Sequence, residues 1–386
     1  MLVAIDASRS VDAISKTGVE IVSDNLIKNL ISQIKARPEF KKNIKFIFMT
    51  PKKISWLEKI GVPVFSQKLS QLVKYENKQI IQYVFGKSRL WTVLSLSLKI
   101  LLLRPDILFI PVHVLPFFCP RKTYKIIHDA AFLHRPQDYS FLGRLYLKFD
   151  LWRCRHYCSQ VIVPTPKVKQ DLIQLGHFNP NRVEVIPWGY SPKNKTSNTD
   201  AKPRQSQILY IGRLESKKNI STLIKSFVIF NQKYPEYKLI LAGKPCKGFN
   251  SDKYQSDNIK FLGYISEQKK HQLLSQSTAL VLVSHQEGFG FPVLEGFDFN
   301  IPVLASDIKT LRFVGQSACL YTDISNPKEI ARNMETICND LKLRQQLIQA
   351  GKQRLKSFSW GKTTASIIKL FTLKQFINQT SPIDHD

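Results

Sequence analysis

The chain has 386 residues, 43% hydrophobic and 11% aromatic, with a formal net charge of +28 at pH 7. That length is about twice a usual domain, so two domains are expected. The apolar content excludes global disorder, and the charge calls for a polyanionic or anionic-surface partner or serves solubility alone.

The opening Met1-Leu-Val-Ala-Ile-Asp6 meets an acid at once and lacks a basic leader, so no secretory signal is expected. Leu2–Ile5 reads as a strand. Thr17-Gly18-Val19 then opens a helix over Val19–Ile34, where glycine permits close backbone approach to a phosphate or acceptor. Strands are predicted at Ile44–Met49, Ile107–Ile110, Tyr124–Ile127 and Val161–Val163. The longest apolar tract, Leu90–Leu103, carries Ser95, Ser97 and Lys99 and is too short to span a bilayer. His128-Asp129 stands at a strand end. Phe141–Tyr157 reads as an amphipathic helix, with Phe141, Leu145, Phe149 and Trp152 on one face and Arg144, Lys148, Arg153 and Arg155 elsewhere. Cys154 and Cys158 share a helical face without a second pair at zinc spacing, so they read as packing residues. Six scattered cysteines agree with a reducing, cytoplasmic setting.

Composition changes at 191–205, a polar stretch with two prolines that reads as a linker. A second series follows, with strands at Ile208–Ile211, Lys238–Leu241, Ile259–Leu262, Ala279–Val283 and Pro302–Ala305. Helices are predicted at Ile220–Lys233, Ser266–Gln276 and Pro292–Phe299. Two βα series joined by one linker imply two doubly wound α/β domains, with ligands at the carboxyl ends of the strands and in a cleft between the domains.

Three stretches carry chemistry. Glu287-Gly-Phe-Gly-Phe-Pro-Val-Leu-Glu295 brackets a glycine turn that opens a helix. Pro292 suits a first helical position, and free amides at Phe289, Gly290, Phe291 and Val293 would attract a phosphate. The flanking carboxylates need hydrogen-bond donors, which sugar and ribose hydroxyls supply. Gly212-Arg213-Leu-Glu-Ser-Lys-Lys218-Asn sets two cations across a βα turn, where they would stabilise a leaving diphosphate. The third is His128-Asp129-Ala-Ala-Phe-Leu-His-Arg-Pro136. Gly243, and Tyr264 with Ile265, lie in further loops after strands.

These stretches resemble the E-x7-E, G-R-L-x-x-x-K-N and H-D-x-x-F-L-x-x-P blocks of retaining GT-B glycosyltransferases of the group 1, or GT4, family. The resemblance covers most of the chain. It implies an α/β GT-B fold of two Rossmann-like domains facing a central cleft: an acceptor-side domain over 1–190, the linker 191–205, a donor domain over 206–358, and a terminal helix and tail over 359–386 that cross back. It also implies that Glu287 holds sugar hydroxyls, Glu295 the ribose, and Arg213 and Lys218 the diphosphate. His128, with Asp129, would reach the sugar, Gly18 would approach the donor, and the loops of Gly243, Tyr264 and Ile265 would surround the base. A pattern departure follows Glu295, where Gly296-Phe-Asp-Phe-Asn300 replaces a small-residue helix end and Asn300 would take the left-handed position.

The function implied is transfer of a hexose, mannose from GDP-mannose foremost, to a saccharide or lipid-linked saccharide in surface polysaccharide or lipopolysaccharide synthesis. No Asp-x-Asp triplet is read as a divalent-metal clamp for the diphosphate, so no cofactor and no metal are expected. Basic residues exceed acidic ones 29 to 13 through Tyr190 and 28 to 16 beyond it. An anionic membrane surface is the preferred reason, which would place a cytoplasmic protein peripherally on the inner face of the cell membrane. A UDP-sugar transferase or a same-fold epimerase is the alternative. A nucleic-acid binder is disfavoured because no RNA-module, zinc-finger or helix-turn-helix pattern stands out.

Overall fold

The computed structural model describes residues 1–10, 18–37, 44–65, 79–84, 95–112, 114–194, 204–246, 249–254 and 256–377. Thr17, the start of the Leu90–Leu103 tract and residues 195–203 of the expected linker lie outside them. The chain forms two compact units. The first comprises Met1–Leu133, Ser140–Gly189 and the chain from Ser359; the second comprises His134–Tyr139 and Tyr190–Phe358.

In the first unit, eight parallel strands are ordered β3-β4-β2-β1-β5-β6-β7-β8. They run β1 Leu2–Asp6, β2 Lys45–Thr50, β3 Val64–Phe65, β4 Ile80–Val84, β5 Ile107–Ile110, β6 Lys122–Ile126, β7 Gln160–Val163 and β8 Val183–Val185. Central strands such as β5 are buried along their whole length, which explains their unbroken apolar runs. Strands β3, β4 and β8 escape the sequence reading. Two are only two or three residues long, and β4 contains Gln82, a fully buried amide that donates to Thr50 Oγ1 (2.9 Å) and the Lys52 carbonyl (3.2 Å). The helix Gly18–Ala36 packs against Trp360–Ile377, where Gln33 Nε2 donates to the Gly361 carbonyl at 2.7 Å and Thr364 Oγ1 at 2.8 Å.

The helix Phe141–Tyr157 forms where the spacing predicts, but its orientation departs from the usual amphipathic arrangement. Its apolar stripe faces solvent. The inward face carries Asp150, Leu151, Arg153 and Cys154, and Lys125 Nζ pairs with Asp150 in a site from which both are almost wholly excluded from water. Burial works against the Lys125 ammonium, but Cys154 and Asp150 beside it together hold its pKa well above the ordinary lysine value.

In the second unit, six parallel strands are ordered β11-β10-β9-β12-β13-β14. They are β9 Gln205–Ile211, β10 Lys238–Ala242, β11 Ile259–Gly263, β12 Ser277–Leu282, β13 Val303–Ser306 and β14 Cys319–Thr322, the last unpredicted. The chain builds outward from β9 through β10 and β11, then crosses back to add β12 on the other side. The switch point therefore falls between β9 and β12, where a doubly wound sheet opens a crevice at its carboxyl edge. A core of Ile208, Tyr210, Leu223, Phe227, Leu239 and Val281 fixes the sheet against its helices. Arg204, at the end of the expected linker, donates to the carbonyls of Ser277 (2.6 Å), Phe299 (2.8 Å) and Asn300 (2.9 Å), locking the entry to β9.

Candidate functional site

The two strands at the switch point each feed one of the charged stretches. After β9 the chain turns through Gly212 and a short 3-10 turn, Ser216–Lys218, and then enters the helix Ile220–Lys233. Asn219 makes that junction in the left-handed conformation, φ 56°, which Asn tolerates better than most residues. After β12 the loop from Val283 ends at Gly290, φ 98°, where the helix Phe291–Asp298 starts.

These turns bring Lys218 and Glu287 together. Lys218 Nζ lies 2.6 Å from Glu287 Oε1, which also accepts from Ser284 Oγ at 2.8 Å. The pair is largely buried, its side chains 16% and 10% exposed. Arg213, on the same turn, is exposed.

Glu295 lies one turn into the helix and has a partner the sequence did not disclose. Lys270, from the helix Glu267–Gln276, sets its ammonium 2.7 Å from Glu295 Oε1 and 2.9 Å from Glu267 Oε1. Burial works against this cation, but the two carboxylates outweigh it and raise its pKa. Burial likewise favours protonation of Glu267, yet hydrogen bonds from Lys193 and Lys270 bring its pKa down to about 2. Near Glu295, Tyr190 donates to Asp298 Oδ2 at 3.1 Å, and burial with the charges of Glu295 and Asp298 pushes its phenol far above the ordinary range. A lysine within Glu-Gln-Lys-Lys-His looks like a solvated helix face, so no local signal marks Lys270.

The helix start differs in detail from the expectation. Pro292 is the second helical residue and lacks an N–H, while the Val293 N–H donates to the Gly290 carbonyl at 3.0 Å and is not free. The Phe289 ring is buried edge-on against Phe291 and Phe358, so its side chain is a packing group. At the other end, Asn300 adopts φ 55°, and the N–H of Ile301 returns to the Gly296 carbonyl at 2.9 Å.

Gly243 has a structural reason of its own. A Cβ there would lie 1.7 Å from the Gly212 carbonyl oxygen, because the loops after β9 and β10 meet backbone to backbone. Tyr264 is exposed and Ile265 half-buried after β11. Gly18 opens its helix with nothing within 4 Å of an added Cβ, so packing does not demand glycine there.

His128 and Asp129 belong to the first unit. His128 Nε2 is 2.9 Å from the Pro111 carbonyl, which can only accept, so Nε2 carries the proton of that contact. The ring lies 5.6 Å from that of Trp188. Asp129 Oδ1 accepts from the Ala131 N–H at 3.2 Å, bracing the turn behind the histidine. The chain's one Asp-x-Asp triplet, Asp384-His-Asp386, lies outside the described residues.

Residues 193–354 match the family model described as glycosyl transferases group 1. The two doubly wound sheets are those of a two-domain, Rossmann-like GT-B fold, and over the matched residues the chain is similar to the group 1 glycosyl transferases. Two curated proteins show the same similarity. The O-antigen chain mannosyltransferase RfbU of Salmonella typhimurium is 26% identical over 221 residues, 56% of this chain and 60% of that protein. The O-antigen chain mannosyltransferase B of Escherichia coli is 28% identical over 278 residues, 67% of this chain and 72% of that protein. Among solved structures, the sucrose-phosphate synthase of Thermosynechococcus elongatus superposes with a TM-score of 0.69 at 17% identity, covering 98% of this chain and all of that one.

Proposed function

We propose that this protein transfers mannose from GDP-mannose, with retention at the anomeric carbon, to a saccharide or lipid-linked saccharide acceptor in O-antigen or related surface polysaccharide synthesis. The observation that carries the reading is the convergence of two carboxylate–lysine pairs, Glu287–Lys218 and Glu295–Lys270, on the β9/β12 switch point. The relatives' mannosyltransferase names support the choice of sugar.

In this reading Glu287 keeps Lys218 on Oε1 and accepts sugar hydroxyls on Oε2. Glu295, held by Lys270, accepts the ribose hydroxyls. Gly243, Tyr264 and Ile265 border the nucleoside base. The acceptor hydroxyl attacks C1 from the face the phosphate leaves. The C1–O bond to the β-phosphate breaks, and the acceptor proton passes to a phosphate oxygen. Arg213, Lys218 and the backbone N–H groups of Gly290 and Phe291 offset the charge that develops, the role a divalent cation plays elsewhere. His128 contributes to the sugar subsite and Asp129 positions its turn. The reaction takes place in the cytoplasm.

The test is slow donor hydrolysis across UDP-, GDP-, ADP- and dTDP-sugars, with the product anomer read by NMR and Glu287→Ala alongside. The expected result is turnover of GDP-mannose to the α-anomer, lost in the variant. Turnover of a UDP-sugar alone would move the assignment to that donor. Isomerisation without an acceptor would establish an epimerase instead. Response to no donor, with salt-sensitive RNA or DNA binding, would overturn the reading.

A further inference from the structure

The first unit exposes an apolar surface built from three elements. On the helix Phe141–Tyr157, Phe141 is 69% exposed and Leu142 75%, and Leu145, Phe149 and Trp152 continue the stripe. The opposite face anchors this helix through polar contacts. Asp150 pairs with Lys125 and accepts from the Leu115 N–H at 2.9 Å, while Arg153 donates to the carbonyls of Pro116 (2.6 Å) and Phe117 (2.9 Å). The same guanidinium lies 5.3 Å from the Phe117 ring centroid, fixing that exposed ring beside the helix. The Phe117 N–H then donates to Ser97 Oγ at 2.6 Å, which brings in the helix Leu96–Leu103 with Leu98, Leu101 and Leu102 exposed.

Apolar surface on this scale does not stay bare on a soluble monomer; it marks a partner. The charges beside it identify the partner. Arg144, Lys148 and Arg155 flank the stripe, and Lys99 sits on the neighbouring helix. The two helices contain a single carboxylate, Asp150, and it is buried against Lys125. A rim of one sign repels a second copy of the same surface and attracts an anionic one. Aromatic rings interleaved with Leu on a helix lying flat, with basic residues along its edge, match the headgroup boundary of a bilayer.

We infer that this surface, formed by the helix Phe141–Tyr157, Phe117-Phe118 and the helix Leu96–Leu103, docks the protein on an anionic lipid bilayer. The inference stands on the surface alone and survives failure of the donor assignment, because vesicle binding is measured without a donor.

The test is co-sedimentation of the full chain with phosphatidylcholine vesicles, with and without phosphatidylglycerol. The wild type is expected to partition at least about tenfold more strongly onto the anionic vesicles. Leu142→Ser with Phe149→Ser, and separately Arg144→Glu with Lys148→Glu, should each reduce that partition about tenfold. Leu142, Lys148 and Phe149 are exposed and Arg144 is half-buried, so circular dichroism and the melting temperature should stay at wild-type values. A blue shift of tryptophan emission on anionic vesicles should weaken in Trp152→Phe. Equal partition onto both vesicles, unchanged partition of the variants, or a wild-type dimer that the Leu142→Ser/Phe149→Ser variant dissociates would overturn the inference.

Discussion

Replacing Lys270 by Met removes one ammonium and nearly preserves the volume of its stem, which isolates the electrostatic contribution. At 2.7 Å from Glu295 the attraction is on the order of 6 kcal/mol at an effective dielectric of 20, most of it offset by desolvation of both ions. Losing one partner of a fully buried pair costs about 3–5 kcal/mol, and losing one from an exposed pair costs about 0–1. With side chains 10% and 12% exposed, the Lys270–Glu295 pair lies nearer the buried limit, so Lys270→Met should cost about 2–3 kcal/mol. That corresponds to roughly 5–10 °C in the melting of a unit of this size. Glu295→Gln should relieve much of the loss, with a coupling of at least about 1 kcal/mol in the double-mutant cycle. Urea unfolding of the four proteins measures it. Strict additivity, or a Lys270→Met protein as stable as wild type, would refute the claim that Lys270 holds Glu295.

Gly243→Ala should be severely destabilising, because its Cβ would meet the Gly212 carbonyl oxygen, a backbone atom, at 1.7 Å; calorimetry showing an unchanged melting temperature would contradict the backbone approach described. Glu267 has a pKa depressed to about 2, so its contribution is present above the unfolded value of about 4.3 and fades as pH falls through the folded one. Stability measured from pH 5 down to pH 2 should therefore fall less steeply in Glu267→Gln than in wild type. In the proposed reaction Arg213 and Lys218 supply the positive charge, so donor turnover should persist in excess EDTA; loss on chelation with recovery on Mg2+ would contradict that assignment.

The parts of the site that were legible are those set by short βα turns. Gly212 to Lys218 and Glu287 to Glu295 each follow a buried strand directly, so reading the strand places the turn. Their meeting as an ion pair was not legible, since it depends on β9 and β12 being neighbours although β10 and β11 come between them in sequence. Lys270 was hidden for a similar reason: its partner Glu295 sits 25 residues on, across a strand and a loop. Periodicity identified the stripe on Phe141–Tyr157 but could not say which side faces the core. Two buried polar contacts, Lys125–Asp150 and Arg153 to the Pro116 carbonyl, reverse the usual orientation. Strand β4 was hidden by Gln82, whose amide is satisfied only by the folded neighbours.

The most direct test of the donor site is calorimetric titration of GDP and GDP-mannose into the wild type, Lys218→Ala and Glu295→Gln. Binding of both ligands by the wild type is expected, with affinity lowered about tenfold or more in Lys218→Ala through the diphosphate and in Glu295→Gln through the ribose. Binding that is equally tight in all three proteins would show that the nucleotide lies elsewhere, and the assignment of the β9/β12 switch point would fall.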